Sequence, residues 1–279
     1  MTAEFFTDAL SLGFFQRALL AGCLTSIVCG ILGSFVVVKR FASISGGLAH
    51  AAFGGIGIGF ALGIDPLLGA TGFCLLCSVV IGLVYRRHQQ SLDTLVAMVW
   101  SVGMAVGILL ISLTPGFAPN LNSYLFGSIL FVPKEYLYLI AGLDVAVVLI
   151  VVTLFKEFQA ISFDEEFAEI RGLHVDALFV LLLSLTALVV VALILVVGVI
   201  LTIALLTTPA VIGRQWSKTL PGMMVLASLV SALSTSSGLF LSYALSVREI
   251  QAPTGPLIII VVTGLLLVSS LVRRAWGRR

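Results

Sequence analysis

Charge is scarce in this 279-residue chain: Asp, Glu, Lys and Arg make up 10% of it, against roughly 25% in soluble domains. With 60% of its residues hydrophobic, it has too few polar groups to clothe a core in a water-facing surface. Fifteen Lys and Arg against thirteen Asp and Glu leave a net charge of +2, too small a surplus for nucleic-acid binding. Four cysteines cannot staple so long a chain into a disulfide scaffold. A P-loop is missing too. The nearest imitation, residues 213–219, has Ser217 where the glycine before the Lys is required, so no backbone cradle for nucleotide phosphates is expected. Any coupling to ATP must then come from a second polypeptide. Neither Gly-x-Ser-x-Gly nor His-Glu-x-x-His occurs, nor any cluster of intramembrane carboxylates, and there are only three histidines. Catalysis by this chain itself is not expected. Residues 1–8 carry Glu4 and Asp8 but no Lys or Arg, unlike the basic start of a signal peptide, so the first apolar run is expected to stay as an anchor.

What is abundant is long apolar sequence. A helix crossing the hydrocarbon core needs about 20 such residues. Runs of this kind fall at 14–38, 47–63, 67–85, 93–113, 135–155, 177–197, 199–213, 220–241 and 254–272. The fold class is therefore an all-α, polytopic transmembrane bundle of eight or nine spans, one membrane domain over 1–279 embedded in the lipid bilayer. Residues 177–213 are nearly continuous, and read either as two spans or as one span plus a broken or re-entrant helix ending at Pro209. With nine spans, Lys39, Arg40, Arg86, Arg87, Lys156, Arg171, Arg214, Lys218 and the C-terminal arginines share one side. The positive-inside rule makes that side cytoplasmic, with the N-terminus outside.

The densest charged stretch, residues 164–172, lies on the cytoplasmic side. Phe163, Phe167 and Ile170 recur at helical spacing and so share a face. Asp164, Glu165 and Glu166 crowd the helix start, where the macrodipole favours acids. Arg171 stands in the last turn and Gly172 can end the helix. A short amphipathic helix is predicted here. It could lie on lipid headgroups, but such helices usually carry Lys and Arg, and an anionic leaflet would repel this acidic face. A docking surface for a cytoplasmic protein fits better.

Four motifs in order carry a family resemblance across almost the whole chain. Asp-Glu-Glu-Phe-Ala-x-x-x-Gly at 164–172 resembles the coupling helix of the zinc/manganese/iron permease family of binding-protein-dependent ABC importers. Arg40-Phe-Ala-Ser-Ile-Ser-Gly-Gly-Leu-Ala-His50-Ala-Ala-Phe-Gly-Gly-Ile resembles its second-span motif. Leu125-Phe-Gly-Ser-Ile-Leu130 resembles its external-loop motif, and Val197-Gly-Val-Ile-Leu through Thr208-Pro209-Ala210 its late-span motif. The resemblance implies a permease with no permanently bound cofactor, which moves a divalent metal ion across the inner membrane by alternating access. It implies cytoplasmic ATPase subunits as the site of ATP hydrolysis. An extracytoplasmic metal-binding protein and a second permease copy are implied as further partners. Docking to the ATPase would then fall to Phe163, Asp164, Glu165, Glu166, Phe167, Ala168, Ile170, Arg171 and Gly172.

His50 is the candidate metal ligand. It stands in an apolar span among Gly46, Gly47, Ala49, Ala51 and Ala52, small residues that let helices approach closely. An ionisable group in such a place usually faces the bundle interior. Position alone fits a histidine bonded across helices, or one at headgroup level, as well as a ligand; the resemblance favours transport. Many members of that family have an Asp four residues earlier, where this chain has Gly46. Ser45, a backbone carbonyl or a residue of another span would have to substitute, so Ser45 and Gly46 join the candidate path. The lost carboxylate leans towards zinc over manganese or iron. Cys74 and Cys77 read as packing, Asp93 as a helix-start residue and Asp65 as a turn residue. Rival readings are a permease for a chelated metal or vitamin, a secondary carrier, and a scaffold without transport.

Overall fold

A computed structural model describes residues 8–88, 90–114, 125, 127, 129–250 and 252–276, with the side chains of 88, 131 and 195 left aside. Residues 126 and 128 of the external-loop motif thus lie outside the described residues. Among those described there is no strand. The main elements are α1 (Gly13–Val38), α2 (Ala42–Leu62), α3 (Pro66–His88), α4 (Leu92–Leu113), α5 (Lys134–Thr153), α6 (Phe155–Phe163), α7 (Glu165–Ile170), α8 (Val175–Trp216), α9 (Leu220–Ser246) and α10 (Thr254–Trp276). Hydrocarbon offers no water to backbone N–H and C=O groups, so each crossing must satisfy them internally, as a helix does. Among the described residues nine segments are long and apolar enough to cross, two of them in α8: Val175–Ile194 and Val196–Trp216.

The join within α8 settles the ambiguous run. Its non-helical residue is Gly198, at φ 80° and ψ 165°, a conformation that a side chain would forbid. Pro209 instead lies inside the helix. The two-span reading therefore holds, with the join at Gly198, and Val196–Trp216 is long and apolar enough to cross by itself. Other boundaries follow local chemistry. Ser91 accepts the Thr94 N–H at 3.1 Å to start α4, and Asp65 accepts the Leu67 N–H at 2.7 Å to start α3. The second span begins at Ala42, ahead of the predicted 47, because its polar first turn continues the same helix.

The chain divides into two compact units. One comprises Met1–Ser34, Asn122–Val148 and Leu195–Arg279, the other Phe35–Leu121 and Leu149–Ile194. In the first, α1 packs on α9 through Gly30, where a Cβ would stand 2.7 Å from the Ser228 Cα, and α9 packs on α10 through Gly238, where the distance to the Ile258 Cα would be 2.8 Å. Both separations are too short for a side chain.

In the second unit α2 is held between α3 and α4 by the same device. A Cβ on Gly55 would lie 2.5 Å from the Ala70 Cα of α3; one on Gly57 would lie 2.7 Å from the Gly107 Cα, and one on Gly103 2.7 Å from the Ala51 Cα. Small residues substitute close dispersion contact for the hydrophobic drive that lipid removes. Gly103 and Gly107 thus make their close contact within one chain.

Overpacking an interior costs about 1–3 kcal/mol. Gly103→Leu is therefore expected to lower the thermal unfolding midpoint in detergent, or to prevent a monodisperse preparation. At Gly72 of α3 a Cβ would meet nothing within 4 Å, so Gly72→Ala should be neutral or stabilising. Equal midpoints for the two variants would contradict this packing.

Candidate functional site

From Ile44 to Gly57 every residue of α2 is buried except Gly46 and His50. These two lie one turn apart and share a face, which is half-open. The imidazole of His50 stacks flat on the Trp100 ring of α4, with centroids 4.5 Å apart and planes 8° from parallel. Trp100 spends its N–H on the Met104 sulfur at 3.1 Å. The His50 Nδ1 is buried and has no hydrogen-bond partner among the described residues, which leaves a stacked ring with an unspent nitrogen. Ser45 is fully buried and donates to the Ala42 carbonyl at 2.8 Å.

No group of three or more His, Cys, Asp and Glu side chains converges among the described residues. The arrangement around His50 presents one unspent imidazole nitrogen and no cage of ligands among the described residues. Cys74 and Cys77 are both buried, and the Cys74 thiol lies 3.5 Å from the Leu48 carbonyl, a packing contact with α2. In the other unit a cavity of about 590 Å³, lined by Phe14, Phe15, Leu130, Tyr243 and Pro253 among others, carries no acidic, basic or imidazole side chain.

The cytoplasmic segment is built differently from the single helix expected. Asp164 is extended and caps α7, accepting the Phe167 N–H at 2.9 Å, so a separate helix, α6, precedes it. Gly172, at φ 80°, closes the other end with its N–H on the Glu169 carbonyl at 2.8 Å. Asp164, Glu166 and Glu169 are exposed, whereas Glu165 is half-buried. Glu165 accepts from Lys39 at 2.5 Å and from Arg86 at 2.7 Å, and Arg86 also pairs with Glu169 and Asp176. Lys39, whose side chain is 4% exposed, donates as well to the Ile161 carbonyl at 2.6 Å, one of the last-turn carbonyls that a helix leaves free. Burial pushes the Lys39 ammonium below its ordinary range, against the pull of Glu165. With Glu165 and Glu169 paired to Arg86, Phe163, Phe167 and Ile170 stand 66%, 52% and 84% exposed, while Ala168 is buried. Glu166, Arg171 and Gly172 are exposed beside them.

Two features escaped the sequence reading. The pairing of Lys39 and Arg86 with Glu165 was signalled only by opposite charges on one side of the membrane. Asp144 is plainer: a carboxylate in the middle of α5, 5% exposed, neither of whose oxygens has a hydrogen-bond partner among the described residues. Such a group is a default functional candidate. Cys29 of α1 is within its electrostatic reach.

The model of the ABC 3 transport family matches residues 11–273. An uncharacterised membrane protein of Synechocystis sp. is 44% identical over 97% of this chain and 95% of its own length. The manganese transport system membrane protein MntC of Listeria innocua is 31% identical over 86% of this chain and 85% of its own. Among solved structures, PsaBC from Streptococcus pneumoniae in complex with Fab matches with a TM-score of 0.83 at 30% identity, over 96% of this chain and 95% of that one. The chain belongs to the ABC 3 transport family, and is a multi-pass protein of the inner membrane.

An unpartnered buried carboxylate is costly as an anion. Asp144→Asn, which removes the charge and keeps the shape, should leave the unfolding midpoint in detergent unchanged or raise it. A fall of several degrees, corresponding to about 1 kcal/mol or more, would mean that the carboxylate is paired in the folded protein.

Proposed function

We propose that this member of the ABC 3 transport family is the membrane-spanning permease of a binding-protein-dependent importer of a divalent transition metal ion. The observation that carries the reading is the match over most of both lengths to a manganese transport system membrane protein. The half-open face of α2, with a stacked imidazole and an unspent nitrogen, supports it. Neutral imidazole is a common ligand for such ions, and His50 lies on the path in this reading, with Gly46 and Ser45 beside it. ATP is hydrolysed by partner subunits, which receive Phe163, Phe167 and Ile170 in a groove. A metal-binding protein delivers the ion from outside, and two permease copies form the assembly. Alternating access then requires the partners to bind the two states unequally.

The ion is the finer question. Manganese has the named relative behind it. Zinc is favoured by one observation, the absence of a carboxylate at Gly46 beside an imidazole, since manganese prefers oxygen ligands.

Liposomes holding the chain with its ATPase and binding protein are expected to take up metal only with ATP, and His50→Ala should abolish most uptake while the complex still assembles. Competition between manganese and zinc in the same assay assigns the ion. Absence of ATP-driven uptake by the wild type would sink the importer reading, and unchanged uptake in His50→Ala would remove His50 from the path. Ile170→Asp places a charge on the exposed apolar face and should reduce co-purification of the ATPase; undiminished co-purification would mean the partner docks elsewhere.

A further inference from the structure

The docking helix has little of its own to hold it. α7 is six residues long and buries one of them, Ala168. Its neighbours are the extended Asp164 on one side and Gly172, with its left-handed backbone, on the other. An element with so few buried contacts would ordinarily open at little cost, and a push delivered to it would be lost in local motion. What ties α7 to the membrane helices of its unit is the charge junction. Lys39 and Arg86 reach opposite oxygens of one carboxylate, Glu165. Arg86 then spreads its remaining donors to Glu169 and Asp176.

The junction is more than a set of surface pairs, which on their own contribute little. Lys39 is 4% exposed and Arg86 19%, so Glu165 meets two cations with little water to screen them. The lysine ammonium is also walled by the Phe41 and Phe179 rings, each 5.3 Å from it. Glu169 and Asp176, at 53% and 63% exposed, are the weaker contacts. The helices reached are informative. Lys39 occupies the turn that joins α1 to α2, where Arg40 is held at φ 61° and the Phe41 N–H returns to the Val36 carbonyl at 2.8 Å. Arg86 is in the last turn of α3, and Asp176 in the first turn of α8. α2, which carries His50, starts directly after that turn and is locked to α3 by glycine contacts.

We propose that the Lys39–Glu165–Arg86 junction is the rigid joint that passes movement of a docked ATPase from α7 into the start of α2 and the end of α3, with Arg86 as the positioning residue. The proposal rests on the reading that α7 docks an ATPase. Arg86 touches neither metal nor the exposed apolar face, so its loss separates hydrolysis from transport rather than abolishing both.

The test uses the reconstituted permease with its ATPase and binding protein, comparing wild type, Arg86→Gln and Arg86→Lys. Arg86→Gln is expected to retain ATPase association and ATP turnover while the metal moved per ATP falls by about tenfold, within the range of ordinary coupling energies. Arg86→Lys, which keeps a cation on Glu165, should recover most of that ratio. An unchanged ratio in Arg86→Gln, or a parallel loss of association and turnover, would overturn the proposal. Amide hydrogen exchange on the permease alone supplies a second reading that needs no transport. Arg86→Gln should speed exchange across 165–170 by about tenfold with little change in α4, and equal exchange would overturn the anchoring role. Should wild type show no ATP-driven uptake, the functional reading fails and the coupling role with it; the exchange experiment still decides whether the junction anchors α7.

Discussion

A lysine ammonium carried almost fully into protein at the end of α1 must be neutralised, and the cytoplasmic end of its unit is arranged around that requirement. Lys39 takes a carboxylate from Glu165 and a carbonyl from Ile161. Satisfying it needs α6 to end where its last-turn carbonyls face α1, and α7 to begin two residues further on. Asp164 makes that possible by leaving the helical conformation and capping the next helix. With Glu165 held between the two cations, Phe167 and Ile170 are left on the exposed side of α7 beside Glu166.

The membrane region obeys a second constraint. Lipid supplies no hydrophobic drive between helices, so contact must come from close approach. α2 meets this with glycines on two sides, facing Ala70 of α3 and Gly107 of α4. It leaves a half-open edge at Gly46 and His50. At that edge the His50 ring is held flat against Trp100.

The spans were legible because runs of apolar residues report membrane crossing directly. Pro209 offered a rival break because proline is the louder local signal. A proline can sit inside a membrane helix when neighbours satisfy the freed carbonyl, whereas Gly198 breaks α8 through a backbone angle that no composition shows. Phe167 and Ile170 lie on one helix, α7, as their spacing implied, whereas Phe163 ends α6 and is parted from them by the extended Asp164. Which way the acids pointed was not legible, since their partners, Lys39 and Arg86, come from distant helices. The stacking of His50 on Trp100 is likewise tertiary. Asp144 was readable as an Asp in the middle of an apolar run, and was passed over because a search for clusters ignores a single carboxylate.

The most direct measurement is an electron cryomicroscopy structure of the permease assembled with its ATPase subunits. The account predicts Phe163, Phe167 and Ile170 buried in the ATPase surface, while Glu165 stays between Lys39 and Arg86. An assembled complex in which Glu165 has left both cations to pair with the ATPase, or in which those three apolar residues face lipid, would contradict it.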